Sequence, residues 1–149
     1  MSKYIIVTDT PHLIPPSDQY LIMTPQDFMG TSSSRLSFKK GTRVINISTS
    51  FDYLSEGYYV SLLAQARGLQ SFPELANIIA INWRRNTAYA FPELNALLEK
   101  HFSVPFEEPL VRRFTSFFGR HASPNIDPIA RRIFDLFRLP IFSFDIKYH

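Results

Sequence analysis

Apolar residues in this chain come in short runs set off by proline- and serine-rich stretches. Tyr4-Ile5-Ile6-Val7 closes into Thr8-Asp9-Thr10-Pro11 and predicts a buried first strand that ends in a loop. Pro11 to Gln19 holds three prolines and predicts irregular chain. Tyr20-Leu21-Ile22-Met23 predicts a second strand. Thr24 and Pro25 then suit the N-cap and first position of a short helix. Gly30 to Gly41, rich in Ser and Lys, reads as the most mobile loop. Thr42 to Ile47 predicts a third strand with Val44 and Ile45 at its centre.

The spacing over Tyr53 to Arg67 predicts a helix with Leu54, Tyr58 and Leu62 on its apolar face, widened by Tyr59, Leu63 and Ala66. Gly68 stands where a left-handed cap would end it. Ser71-Phe72-Pro73-Glu74 matches a capping box and predicts a helix to about Ile81, with strand as the alternative for Ile78 to Ile81. Phe91-Pro92-Glu93 opens another helix, carried by Leu94, Leu97 and Leu98 and fading near His101. A proline-broken link from Ser103 to Pro109 follows. Val111 to Phe118 predicts a strand. Asp127-Pro128 starts a helix that buries Ile129, Ile133, Phe134 and Phe137 and stops at Pro140, and Ile141 to Ile146 alternates as a last strand. Strands and helices interleave. The expected fold is α/β, a mixed and mostly parallel sheet flanked by helices in a single domain over residues 1–149, with α+β as the alternative.

Composition narrows the picture. Hydrophobic residues at 45% and charged residues at 19% describe a globular chain long enough to bury its own core. The aromatic share of 15% must go into a core or an interface. A net charge of +3 is small for a dedicated polyanion binder, which disfavours nucleic acid as a partner. The absence of cysteine excludes disulfides and thiolate metal sites. The four-residue opening apolar run is too short for a signal peptide, and no segment reaches the roughly 20 apolar residues that span a bilayer. A cytoplasmic location without membrane attachment is expected. The chain stops three residues after its last strand, as a piece of a longer protein would.

No complete active site emerges. The glycines at 30, 41, 57, 68 and 119 lie too far apart for a phosphate-cradling loop. The histidines at 12, 101, 121 and 149 form no metal-ligand spacing. Ser61 lacks a nucleophile elbow and reads as a small residue packing a helix on a sheet. Glu107-Glu108 falls in a loop that gives no sign of positioning. Three basic clusters, Trp83-Arg84-Arg85, Arg112-Arg113 and Arg131-Arg132, could stack on bases or clamp anions, or could rim an aromatic core. An exposed Trp83 would favour an interface. The segment around Gly57 stands out. A glycine early in a helix implies close backbone approach, and Tyr53, Ser55, Tyr58, Tyr59 and Ser61 gather hydroxyls beside it at the carboxyl end of the third strand.

The run Arg43 to Ile47 followed by Tyr53-Leu54-Ser55-Glu56-Gly57-Tyr58-Tyr59-Val60-Ser61-Leu62-Leu63-Ala64-Gln65-Ala66-Arg67-Gly68 resembles the hallmark of the RimK-like ATP-grasp N-terminal domain. Phe118-Gly119-Arg120 and Ala130 to Arg138 before Pro140 are similar to that domain's second block. The resemblance implies the front part of an ATP-dependent carboxylate-amine ligase. The ATP and Mg²⁺ would then be used by an ATP-grasp module beyond His149, and that module would be this domain's partner. It further implies a non-catalytic role in substrate recognition or docking, with an acidic amino acid or peptide as the substrate class. The expected ligand-binding residues are Tyr53, Ser55, Tyr58, Tyr59 and Arg67, with Arg120 and Arg131 available for an acidic group. Two alternatives stand beside this reading. One is a polyanion-binding module using Arg84, Arg85, Arg112 and Arg113, and the other is a purely structural interaction domain.

Overall fold

The structure, a computed structural model, describes residues 3–31, 38, 41–83, 91–101 and 111–147. The expected link 103–109, Arg84 and Arg85, and most of the expected loop 30–41 lie outside the described residues. The chain forms two compact units, Met1–Asn82 and Trp83–His149.

The first unit holds four parallel strands in the order β2-β1-β3-β4: β1 Tyr4–Thr8, β2 Tyr20–Met23, β3 Arg43–Ile47 and β4 Gln70–Phe72. Ile5 lies opposite Leu21 on one side and Val44 on the other. A central parallel strand is covered on both faces, which is why β1 reads as a continuous apolar run. The helices are α1 Pro25–Gly30, α2 Glu56–Ala66 and α3 Leu75–Asn82. Ile5, Val7, Phe28, Val44, Val60 and Ala64 form the core, with Met23, Leu63 and Leu69 against it. Burying each of its large side chains contributes about 1.5–3 kcal/mol.

Local chemistry sets the helix ends. The Asp27 N–H donates to Thr24 Oγ1 at 3.1 Å, with Pro25 in the first turn, as the sequence suggests. At the C-terminus of α2, Gly68 takes φ +71, its N–H donates to the Gln65 carbonyl, and the Leu69 N–H reaches the Ala64 carbonyl, both at 2.9 Å. That paired closure is the Schellman ending that glycine permits.

Three local expectations are corrected. α2 starts at Glu56 rather than Tyr53, because Ser55 is its N-cap and Leu54 sits in the left-handed region at φ 66. Its buried positions are Gly57, Val60, Ser61 and Ala64, not the Leu54–Tyr58–Leu62 face, since small residues let the helix lie close to the strands. Ser71 does not cap a helix. It belongs to β4, opposite Val44, and its hydroxyl donates to the Pro73 carbonyl at 3.0 Å. Ile78 to Ile81 is helical, within α3.

The second unit contains α4 Pro92–His101, β5 Val111–Phe117, α5 Asp127–Phe137 and β6 Ile141–Lys147. β5 and β6 pair antiparallel, Val111 opposite Lys147 and Phe117 opposite Ile141. Phe114, Phe144 and Ile146 turn one face of this ribbon onto Ile126, Ile129 and Ile133, joined by Leu94, Leu97 and Leu98 of α4. α5 ends with Arg138 in the left-handed region and a buried Pro140 two residues on, as expected. The α/β class holds, with parallel and antiparallel pairing carried by separate sheets. Among the described residues, no helix is long and apolar enough to cross a membrane.

Candidate functional site

In the order β2-β1-β3-β4 the chain leaves β1 toward one side and crosses to the other for β3. The carboxyl ends of β1 and β3 therefore flank a topological switch point, the place where open α/β sheets hold ligands. Asp9 follows β1, and its Oδ2 accepts hydrogen bonds from the Thr49 backbone N–H at 2.5 Å and the Thr49 hydroxyl at 2.8 Å. This contact ties the loop after β1 to the loop after β3.

Beneath that loop lies a buried polar network. Asn46, on β3 and fully buried, donates from Nδ2 to the Gly57 carbonyl at 2.8 Å and to Ser61 Oγ at 3.0 Å. Its Oδ1 accepts from the Ser48 N–H at 3.2 Å and the Ser48 hydroxyl at 2.6 Å. The Ser61 hydroxyl in turn donates a hydrogen bond to the Pro73 carbonyl at 2.8 Å. Each hydrogen-bonding site of the Asn46 amide is thus satisfied, and β3, α2 and the segment after β4 are locked together. The packing role read for Ser61 is the one it has.

Packing at Gly57 shows why the first turn of α2 carries a glycine. A Cβ there would stand 2.2 Å from the Ser50 carbonyl oxygen and 3.1 Å from the Phe51 ring. Close backbone approach is the requirement. Ser55 caps the same turn, accepting from the Tyr58 N–H at 3.4 Å while its hydroxyl donates to the Ser50 carbonyl at 3.0 Å.

On this rigid base stand the tyrosines. Tyr53 and Tyr58 meet edge-to-face with ring centroids 5.3 Å apart, and Tyr58 and Tyr59 do so at 5.6 Å. Tyr53 is 68% exposed and Tyr59 is also open to solvent, with Tyr58 half-buried between them. Two exposed carboxylates belong to the same turn: Asp52 precedes Tyr53, and Glu56, which accepts from Gln26 Nε2, precedes Gly57.

The remaining expected site residues lie elsewhere. Arg67 is at the opposite end of α2, stacked over the Phe28 ring at 4.9 Å and donating to the carbonyls of Phe28 (2.8 Å), Met29 (3.4 Å) and Thr31 (2.7 Å). It closes the C-terminus of α1. Arg120 and Arg131 belong to the second unit, where both bind Asp127 through Nε, at 3.2 and 2.9 Å. The His121 backbone N–H, donating at 2.9 Å, is the main cause that holds the Asp127 carboxyl below its ordinary range; the two arginine charges add to it, against partial burial. Of the polyanion candidates, Arg113 is engaged by both oxygens of Asp145 at 2.8 and 3.0 Å, and Arg112 also has a partner. Trp83 is 63% exposed. Among the described residues, no group of three or more His, Asp or Glu side chains could hold a metal ion.

A family model described as the RimK-like ATPgrasp N-terminal domain matches residues 26–149. The chain belongs to this family. No curated protein and no solved structure matches it significantly. The part matched to the RimK-like domain runs from α1 onward and takes in the tyrosine cluster, the Asn46 network and both arginines on Asp127, whereas Asp9 precedes it. Asp9 and Thr49 were missed from the sequence. Only the strand order brings them together.

Proposed function

We propose that this RimK-like domain is an accessory recognition module of an ATP-dependent carboxylate-amine ligase, holding part of the acceptor substrate at the tyrosine rim. The observation that carries the reading is the pair of solvent-facing rings of Tyr53 and Tyr59 on either side of the half-buried Tyr58, in the turn shaped by Ser55 and Gly57 at the switch point between β1 and β3. Rigid aromatic side chains lose little conformational entropy on binding, which suits them to recognition. With the exposed carboxylates of Asp52 and Glu56 in the same turn, they favour the amine-bearing part of a ligand through ion pairing and contact with the ring faces.

Gly57 is closed by the Ser50 carbonyl rather than open to a phosphate, and among the described residues the carboxylates form no metal-holding group. Nucleotide and metal chemistry is assigned to an ATP-grasp module of the same protein. Docking on such a module is the second role, favoured by the exposed indole of Trp83.

Amide NMR titration of the chain with amino acids and short peptides tests recognition. Shifts centred on Gly57, Tyr58 and Tyr59, weakened in Tyr58→Leu, are expected. An unperturbed α2 N-terminus with every ligand would leave the purely structural reading in its place.

A further inference from the structure

We propose that Arg120 and Arg131 form a second binding site, on the second unit, for an oxyanion of the carboxylate or phosphate class. Two elements build it. In the turn after β5, Phe118 and Gly119 take φ 49 and 71, and Phe117 and Arg120 exchange backbone hydrogen bonds at 3.1 and 2.9 Å. A left-handed phenylalanine is an outlier, and it is 48% exposed, so burial of its ring does not account for it. Gly119 is pressed on α5, since a Cβ there would stand 2.6 Å from Phe134 Cβ. The turn is thus clamped to the helix, and Arg120 is delivered beside the first turn of α5.

Asp127 then aligns both guanidinium groups. Arg120 and Arg131 each approach it most closely through Nε, and among the described residues their terminal nitrogens make no hydrogen bond. Their side chains are 66% and 53% exposed. Arg113 is the contrast, its fork already filled by both oxygens of Asp145. The other carboxylates near α5 have cations of their own, Glu93 with Arg132 and Asp135 with Arg138. Two cations on one carboxylate leave a net +1 with outward N–H groups, the geometry that takes a planar carboxylate or a phosphate by paired hydrogen bonds. Asp127 is held ionised, so this arrangement persists throughout the neutral range. The site belongs to the second unit alone and does not depend on the tyrosine-rim reading.

The test uses the whole chain at low ionic strength, titrated with inorganic phosphate and, separately, with glutarate, and followed by arginine Nε–H and backbone NMR signals. The expected result is saturable shifts at Arg120, His121 and Arg131 with at least one probe, weakened about tenfold by Arg120→Gln or Arg131→Gln. Arg131→Lys, which keeps the charge and loses the fork, should weaken binding by less. Arg113→Gln should leave it unchanged. A response to phosphate alone identifies a phosphate site, and a response to glutarate alone a carboxylate site. Shifts reproduced by chloride at equal ionic strength, or unchanged affinity in both glutamine variants of folded protein, overturn the proposal.

Discussion

Gly57 and Asn46 show how far a single residue's role can be read in advance. A glycine in the first turn of a helix wastes up to about 1 kcal/mol of helix propensity, so its need for close approach was visible, and the Ser50 carbonyl 2.2 Å from its notional Cβ supplies the reason. Gly57→Ala gains propensity but drives a methyl into backbone. It should lose about 1–3 kcal/mol in urea unfolding, and a neutral or stabilising result would mean that the Ser50 loop yields freely. Asn46 was invisible as a structural residue, because the partners of its amide nitrogen lie 11 and 15 positions away and meet it only once α2 is laid on the sheet. Asn46→Leu is close in size and leaves the Gly57 carbonyl and Ser48 hydroxyl without their partner. A cost of about 2–3 kcal/mol is expected in the same assay, against under 1 kcal/mol if water can enter and replace the amide. Arg67 was misplaced for a related reason. Its partners are backbone carbonyls, and carbonyls carry no signature in a sequence.

At the scale of elements, β1, β2, β3, α5 and β6 were legible because their periodicity and their punctuation agree. β4 was not. Its three residues are too few to show a period, and Ser71 followed by Glu74 satisfies a capping rule that the strand pre-empts. The buried face of α2 was read from its largest side chains, whereas contact with the sheet is made by its smallest, at Gly57, Ser61 and Ala64. The start of α5 carries a titration. Asp127 has a folded pKa below its ordinary value, chiefly through the His121 N–H, so its contribution is full above the unfolded carboxylate range near pH 3.9 and is lost as pH falls through the lower folded value. Asp145, lowered mainly by its hydrogen bond from Arg113, has the same sign. Thermal unfolding should therefore show a drop in Tm on acidification below about pH 4. Asp127→Asn should lower Tm at neutral pH and make that drop shallower. An acid limb of unchanged depth in the variant would place the sensitivity in other carboxylates.

Across the whole molecule, strand order is what turns local features into a site, and no pattern of apolar residues specified it. Once β1 and β3 are neighbours with parallel carboxyl ends, Asp9, Thr49 and the tyrosine turn occupy one rim, and the arginines first grouped with them divide between Arg67 beneath α1 and the Asp127 pair of the second unit. Trp83 offers a reading of the protein as a partner of something larger. It is the single tryptophan of the chain and is 63% exposed, so intrinsic fluorescence reports on one place. An indole in water emits at long wavelength and is open to collisional quenchers, and enclosure in an interface reverses both. If docking on an ATP-grasp module uses this surface, adding that module should shift the emission to the blue and protect it from acrylamide, and Trp83→Ala should weaken association by about tenfold or more, as expected of a buried aromatic anchor. Association that leaves the emission unchanged would move the docking surface away from Trp83 while leaving the tyrosine rim untouched as a recognition site.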